Sequence, residues 1–294
     1  MKALGVLVLL ALSQDPGPWR IIYQTERMRE FCSYKSVLED GSGLRDEDNE
    51  PQSPFGWSPD RKRRLFTLVK EQVGAVAYFD ADSGREILIT NHKTSDYSPC
   101  WSADGKQIIF ASNRSGRWQI WIMDADGRNP KQLTDHPDGA AQPRVAGARI
   151  AYVRPASLPW EKPKSSTLVT MNMTGDDVHV IMEKVNLLEH EWNPKGDLLA
   201  CSVPRELQIV DAPSGKIVKR FKMDEIHKDL SAHAAYRLLW RPDGRSLACI
   251  IGTLEARWDR SGRFGDNQIF ILPLEGKPSI IETGGPAGPW RWIR

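Results

Sequence analysis

Residues Ser98 to Thr134 read SPCWSADGKQIIFASNRSGRWQIWIMDADGRNPKQLT, and this stretch decides the fold. Ser98–Trp101 reads as a short strand. Ser102-Ala103-Asp104-Gly105 is a tight turn, because glycine takes a positive φ without steric cost and aspartate bonds its own backbone. Gln107–Ser112 is a second strand, and Asn113-Arg114-Ser115-Gly116 turns the chain again. Gln119–Asp124 is a third strand, followed by an Asp126-Gly127 turn and an outer strand, Lys131–Thr134. Strands of about five residues, with turn chemistry roughly every 8–12 positions, predict an all-β architecture.

The pattern recurs along the chain. GWSPDRKRRLFTL, CWSADGKQIIFAS, EWNPKGDLLACS and LWRPDGRSLACI each place a tryptophan before a polar turn and a short apolar strand; the tryptophans are Trp57, Trp101, Trp192 and Trp240. QPRVAGARIAYV carries Val145 at the marker position, and GPWRWIR places a sixth marker at Trp290. Successive markers are 44, 44, 47, 48 and 50 residues apart. That period matches one four-stranded propeller blade. The rest of the sixth unit is found at the other end of the chain. IIYQTERMREFCSYKSVLEDG, from Ile21, aligns with IIFASNRSGRWQIWIMDADG, from Ile108, with one inserted residue. The expectation is therefore a single six-bladed β-propeller of four-stranded blades over residues 20–294, closed by pairing its C-terminal strand with N-terminal strands. Such closure removes exposed sheet edges. One short loop helix is expected between Lys222 and Leu230.

These markers resemble the TolB-type propeller repeat, whose hallmark is P-x-W-S-P-D-G, an I-A-F-x-S strand and a D-x-D-G…L-T hairpin. The resemblance runs from about Ile21 to Arg294 and implies the six-bladed fold. It does not carry over the function of TolB, which has an α/β domain ahead of its propeller; Gln14 to Ile21 leaves no room for one.

The chain has 294 residues, with 40 Lys+Arg against 38 Asp+Glu. This balance argues against a nucleic-acid binder, which needs clustered positive charge. Lys2 precedes an apolar run from Ala3 to Leu12, too short for a bilayer span of about 20 residues. With Ala11-Leu12-Ser13 after it, the run reads as a signal peptide over residues 1–13 and a periplasmic or secreted product. No later segment is apolar enough to span a membrane. Cys32, Cys100, Cys201 and Cys249 lack zinc-ribbon spacing and read as small buried hydrophobes.

Function is thinly marked. Two connections between second and third strands are long: Arg154 to Lys164, with Trp160, and Thr253 to Asn267, with Arg257, Trp258 and Arg260. Tryptophan and arginine anchor binding surfaces, and long loops on a rigid scaffold are where function concentrates. The favoured reading is a non-catalytic, monomeric scaffold without cofactor, binding an unidentified protein or cell-envelope ligand through Arg154, Trp160, Arg257, Trp258 and Arg260. The alternative is a metal-dependent polysaccharide lyase or hydrolase. Its ligands would be His92, His136, His190 and His233, which all lie where the chain enters innermost strands. LLEHEWNPKG, from Leu187, faintly resembles the His-Glu-x-Trp entry of oligogalacturonate lyases. The chain lacks a G-x-S-x-G elbow and a Walker loop. Arg61-Lys62-Arg63-Arg64 reads as a solvated turn, Asp46 to Glu50 as an acidic loop, and Asp124, Asp126 and Gly127 as a simple turn.

Overall fold

The computed structural model describes residues 20–27, 32–38, 40, 42–43, 45–47, 56–155, 165–253, 268–282 and 288–293. These form six antiparallel sheets, five of four strands and one of three. The first holds Arg63–Lys70, Val73–Asp80 and Arg85–Leu88, with Trp57 bridged to Arg64 beside it. The second holds Asp96–Trp101, Gln107–Ser112, Gln119–Asp124 and Lys131–Gln132. The third holds Ala141–Ala146, Arg149–Arg154, Ser166–Asn172 and His179–Val185. The fourth holds Glu189–Trp192, Leu198–Val203, Glu206–Asp211 and Ile217–Lys222. The fifth holds His233–Trp240, Ser246–Thr253, Gln268–Pro273 and Ser279–Glu282. The sixth joins the two ends of the sequence: Gly288–Ile293 pairs with Arg20–Arg27, which pairs with Cys32–Leu38, and that strand with Arg45–Glu47. Asp46 and Glu47, expected in an acidic loop, lie in this last strand, where they satisfy the free edge of Cys32–Leu38. The expected loop helix is a single turn, Met223–Ile226, followed by a 3-10 turn, Lys228–Leu230.

Innermost strands meet in sequence. Asp96–Trp101 touches Ala141–Ala146, which touches Glu189–Trp192, then His233–Trp240, then Gly288–Ile293. The hydrophobic core is split among the seams. Ile109, Ile120, Ile150 and Val169 fill the seam of the second and third sheets. Val153, Leu168, Leu199 and Val210 fill the next, and Leu207, Ile209, Leu247 and Phe270 the one after. Both faces of a middle strand are therefore buried, which explains apolar runs such as Ile108 to Ala111 in place of strict alternation.

The marker tryptophans tie these seams. The Trp101 indole donates to the Gly56 carbonyl at 2.9 Å, Trp192 to Arg144 at 3.1 Å and Trp240 to Glu191 at 3.3 Å. Each acceptor directly precedes the marker of the preceding sheet. The Arg144 carbonyl thereby verifies Val145 as the cognate of a tryptophan.

The turns after Trp57 and Trp101 are also built alike. Asp104 accepts from the Ser102 hydroxyl (2.6 Å) and the Lys106 amide (3.1 Å); Asp60 accepts from Ser58 and Lys62 at the same distances. The turn expected over Arg61 to Arg64 ends earlier, because Arg63 and Arg64 already belong to a strand. Arg63 lies over the rings of Tyr78 and Trp101.

Candidate functional site

In the second, third, fourth and fifth sheets the start of the innermost strand lies beside the end of the second: Asp96 pairs with Ser112, Ala141 with Val153, Glu189 with Ser202 and His233 with Thr253. The connections from second to third strand leave from this same end, which forms the mouth. In the first and fourth sheets they are hairpins through Glu71-Gln72 and Pro204-Arg205. In the third and fifth, 11 and 14 residues separate Arg154 from Ser166 and Thr253 from Gln268. Arg154 is half-buried at the root of the first long connection. Trp160, Arg257, Trp258 and Arg260 lie outside the described residues.

Polar groups at the mouth are engaged by their neighbours. The His92 Nδ1 is 3.1 Å from the Val73 carbonyl oxygen. Asp96 is fully buried, and both its oxygens accept from one Arg114 nitrogen at 3.1 Å. The Arg114 Nε donates to Ser112, and its guanidinium lies 4.9 Å from the ring centres of Phe110 and Trp121. Such sandwiching fixes a cation by packing as well as by charge. The His136 Nε2 is 3.0 Å from the Tyr152 hydroxyl, and the two rings stack. Burial, then the nearby Arg154 charge, holds the His136 pKa below its usual value.

His190 is buried among residues of the third sheet. Neither ring nitrogen has a partner at bonding geometry, although the Gln142 and Ala151 backbones approach it. Burial, with Arg144 nearby, pushes its pKa down to about 3, so it is neutral at physiological pH. The His233 Nδ1 is likewise buried and unpartnered. The four histidines are not brought together: among the described residues no three His, Cys, Asp or Glu side chains stand close enough to share a metal ion.

The channel wall carries features that sequence reading missed. The innermost strands of the second, third and fifth sheets bulge three and two residues before the marker, at Ser98-Pro99, Gln142-Pro143 and Arg237-Leu238. The first residue of each bulge has φ of 53°, 56° and 54° respectively. The fourth sheet has no bulge there. Its Glu189 instead reaches the fifth sheet, accepting from the Arg237 amide at 2.9 Å and the Leu238 amide at 3.1 Å. Glu191 reaches the other way, accepting from the Arg144 Nε at 3.2 Å, with 23% of its side chain exposed. Burial outweighs Arg144 and pushes the Glu191 pKa up to about 7. Cys100 stands near this pair; burial raises its thiol to about 12, which keeps it protonated and unreactive. Cys201 and Cys249 are free thiols in the core, the small buried hydrophobes expected from the sequence. The one sequence signal for this wall is proline two residues before the marker in the second and third units, against His190 and Leu238 in the fourth and fifth.

The family model described as the TolB beta propeller domain matches residues 49–210. An uncharacterized protein of Agrobacterium fabrum, Atu1656, is 29% identical over 226 residues, covering 67% of this chain and 77% of its own length. The solved structure of a putative TolB from Agrobacterium tumefaciens is 26% identical, with a TM-score of 0.45 over 60% of this chain and 68% of that one. An oligogalacturonate lyase of Vibrio parahaemolyticus is 15% identical, with a TM-score of 0.52 over 90% of this chain and 73% of that one; at this identity the likeness is one of fold.

Proposed function

This chain belongs to the TolB beta-propeller domain family, and from that premise we propose that it is an exported, non-catalytic, six-bladed ring that binds a protein or cell-envelope ligand at its mouth. The ring is closed by the pairing of Gly288–Ile293 with Arg20–Arg27, which supplies the innermost strand of the sixth blade. The observation that carries the binding reading is that the two long connections leave the third and fifth sheets at the same end. The mouth around them is held rigid by Asp96–Arg114 and His136–Tyr152. A rigid rim with two long loops presents anchors without ordering the scaffold anew. Arg154 stands at the root of one loop; Trp160, Arg257, Trp258 and Arg260 are the proposed anchors on the loops themselves. Export rests on Lys2 and the apolar run Ala3 to Leu12; among the described residues no helix is long and apolar enough to cross a membrane.

Elemental analysis of protein purified without chelator, with a thermal-shift screen against Mn²⁺, Zn²⁺ and acidic oligosaccharides, tests the reading. The expected result is no stoichiometric metal and a melting temperature indifferent to both metals. One metal ion per chain, with a melting temperature that falls on chelation, would replace it with the lyase or hydrolase reading through His92, His136, His190 and His233.

A further inference from the structure

The two amides that Glu189 caps form a small anion site. A bulge turns successive backbone N–H groups to one side, and such a concavity binds anions. In the second and third sheets the second residue of the bulge is Pro99 or Pro143, which has no N–H to offer. The fifth sheet has Leu238 there, wholly buried, and its N–H points at the Glu189 carboxylate together with that of Arg237. The fourth sheet places this carboxylate at the very position where the innermost strands of the second, third and fifth sheets begin their bulge, three residues before the marker. The missing bulge of one sheet and the missing proline of the next are thus a matched pair.

We propose that the Arg237–Leu238 bulge is a carboxylate-binding nest on the channel wall, and that the chain fills it with its own Glu189. The carboxylate joins the fourth and fifth sheets, as the Arg144–Glu191 ion pair joins the third and fourth. Both links spring from one four-residue strand, Glu189–Trp192. The assignment stands whether or not the mouth binds a partner.

Chemical rescue tests it. Glu189→Ala empties the nest, so the variant melts several degrees below the parent protein. Sodium formate then raises its midpoint by about 3 °C in a saturable way, compared with sodium chloride at equal ionic strength. The parent protein, whose nest is filled, does not respond. Adding Leu238→Pro removes one donor in a geometry that Pro99 and Pro143 already tolerate. The double variant loses the formate response, whatever its own midpoint. If Glu189→Ala does not fold in chloride, the yield refolded in formate against chloride gives the same reading. A variant that responds equally to formate and chloride, or a double variant that still responds to formate, would overturn the assignment.

Discussion

Arg61 occupies the left-handed position, φ 61°, that Gly105, Gly196 and Gly244 take in the other units, with φ of 69°, 73° and 73°. A side chain there costs energy that glycine does not. Arg61→Gly is therefore expected to stabilise the protein by about 0.5–1 kcal/mol after the entropy of the glycine is counted, read as a higher urea midpoint at unchanged slope. The tryptophans give a sharper comparison. Trp101→Phe keeps the ring but leaves the Gly56 carbonyl without its indole donor, and should cost about 1–2 kcal/mol. Trp57 has a buried indole nitrogen with no partner, so Trp57→Phe should cost less. Equal losses in denaturant melts would contradict the tie as an energetic link. At this scale the sequence was informative about position and silent about partner. It placed each tryptophan in its strand, but the acceptor lies about 45 residues away and becomes visible only once neighbouring units are stacked.

The strand Glu189–Trp192 concentrates the titrating chemistry of the wall. His190 stays neutral down to about pH 3 when folded but takes a proton near 6.5 when unfolded. The unfolded chain binds more protons in that window, so stability falls as pH drops from 6.5 toward 3. Glu191 acts in the opposite sense. Its folded pKa is raised from 4.5 to about 7, so its contribution is full below 4.5 and is lost as pH rises to 7, less whatever its exposed fraction recovers by hydration. Glu191→Gln should therefore gain on the parent protein across pH 4.5–7, by up to about 1 kcal/mol per pH unit. His190→Phe should flatten the acid side. Urea unfolding at pH 4 to 8 reads both slopes, and a Glu191→Gln profile parallel to that of the parent protein would contradict the assigned burial. Strand limits were legible: Gln107–Ser112 and Gln119–Asp124 fall where the turn residues put them. The bulges were not, because Ser98, Gln142 and Arg237 are ordinary strand residues, and none is the glycine that a φ near 55° would announce. Glu189 and Glu191 carried no mark in the sequence, because their partners are backbone amides and an arginine from other units.

At the scale of the whole molecule, the repeat period carried the architecture, and the loops carried little. The repeat predicted six sheets, and the alignment of Ile21 onto Ile108 put the C-terminal segment beside the N-terminal strands, where Gly288–Ile293 does pair with Arg20–Arg27; the marker itself was misplaced by two residues, because Trp292, not Trp290, stands opposite Ile21 as Trp101 stands opposite Ile108. The histidines were singled out by a shared sequence position, entry into an innermost strand, whereas sharing one ion needs side chains to converge across the channel; among the described residues no such group of three stands together. His92 and His136 face the Val73 carbonyl and the Tyr152 hydroxyl instead. If the mouth binds through its long loops, Trp258→Ala should weaken the complex with a captured partner at least about tenfold, because aromatic anchors supply most of the binding energy. Isothermal titration reads this, and unchanged affinity would remove Trp258 from the site.

The account rests on the chain being one ring fastened by its two ends, and truncation after Ala287 tests this most directly. Loss of the strand that pairs with Arg20–Arg27 opens a sheet edge and strips the sixth blade of its innermost strand. The expected result is a collapse of the single cooperative thermal transition, with amide exchange spreading from residues 20–47 into the fifth sheet. A truncated protein that melts at the temperature of the full chain, with residues 20–27 still protected, would contradict the closed ring.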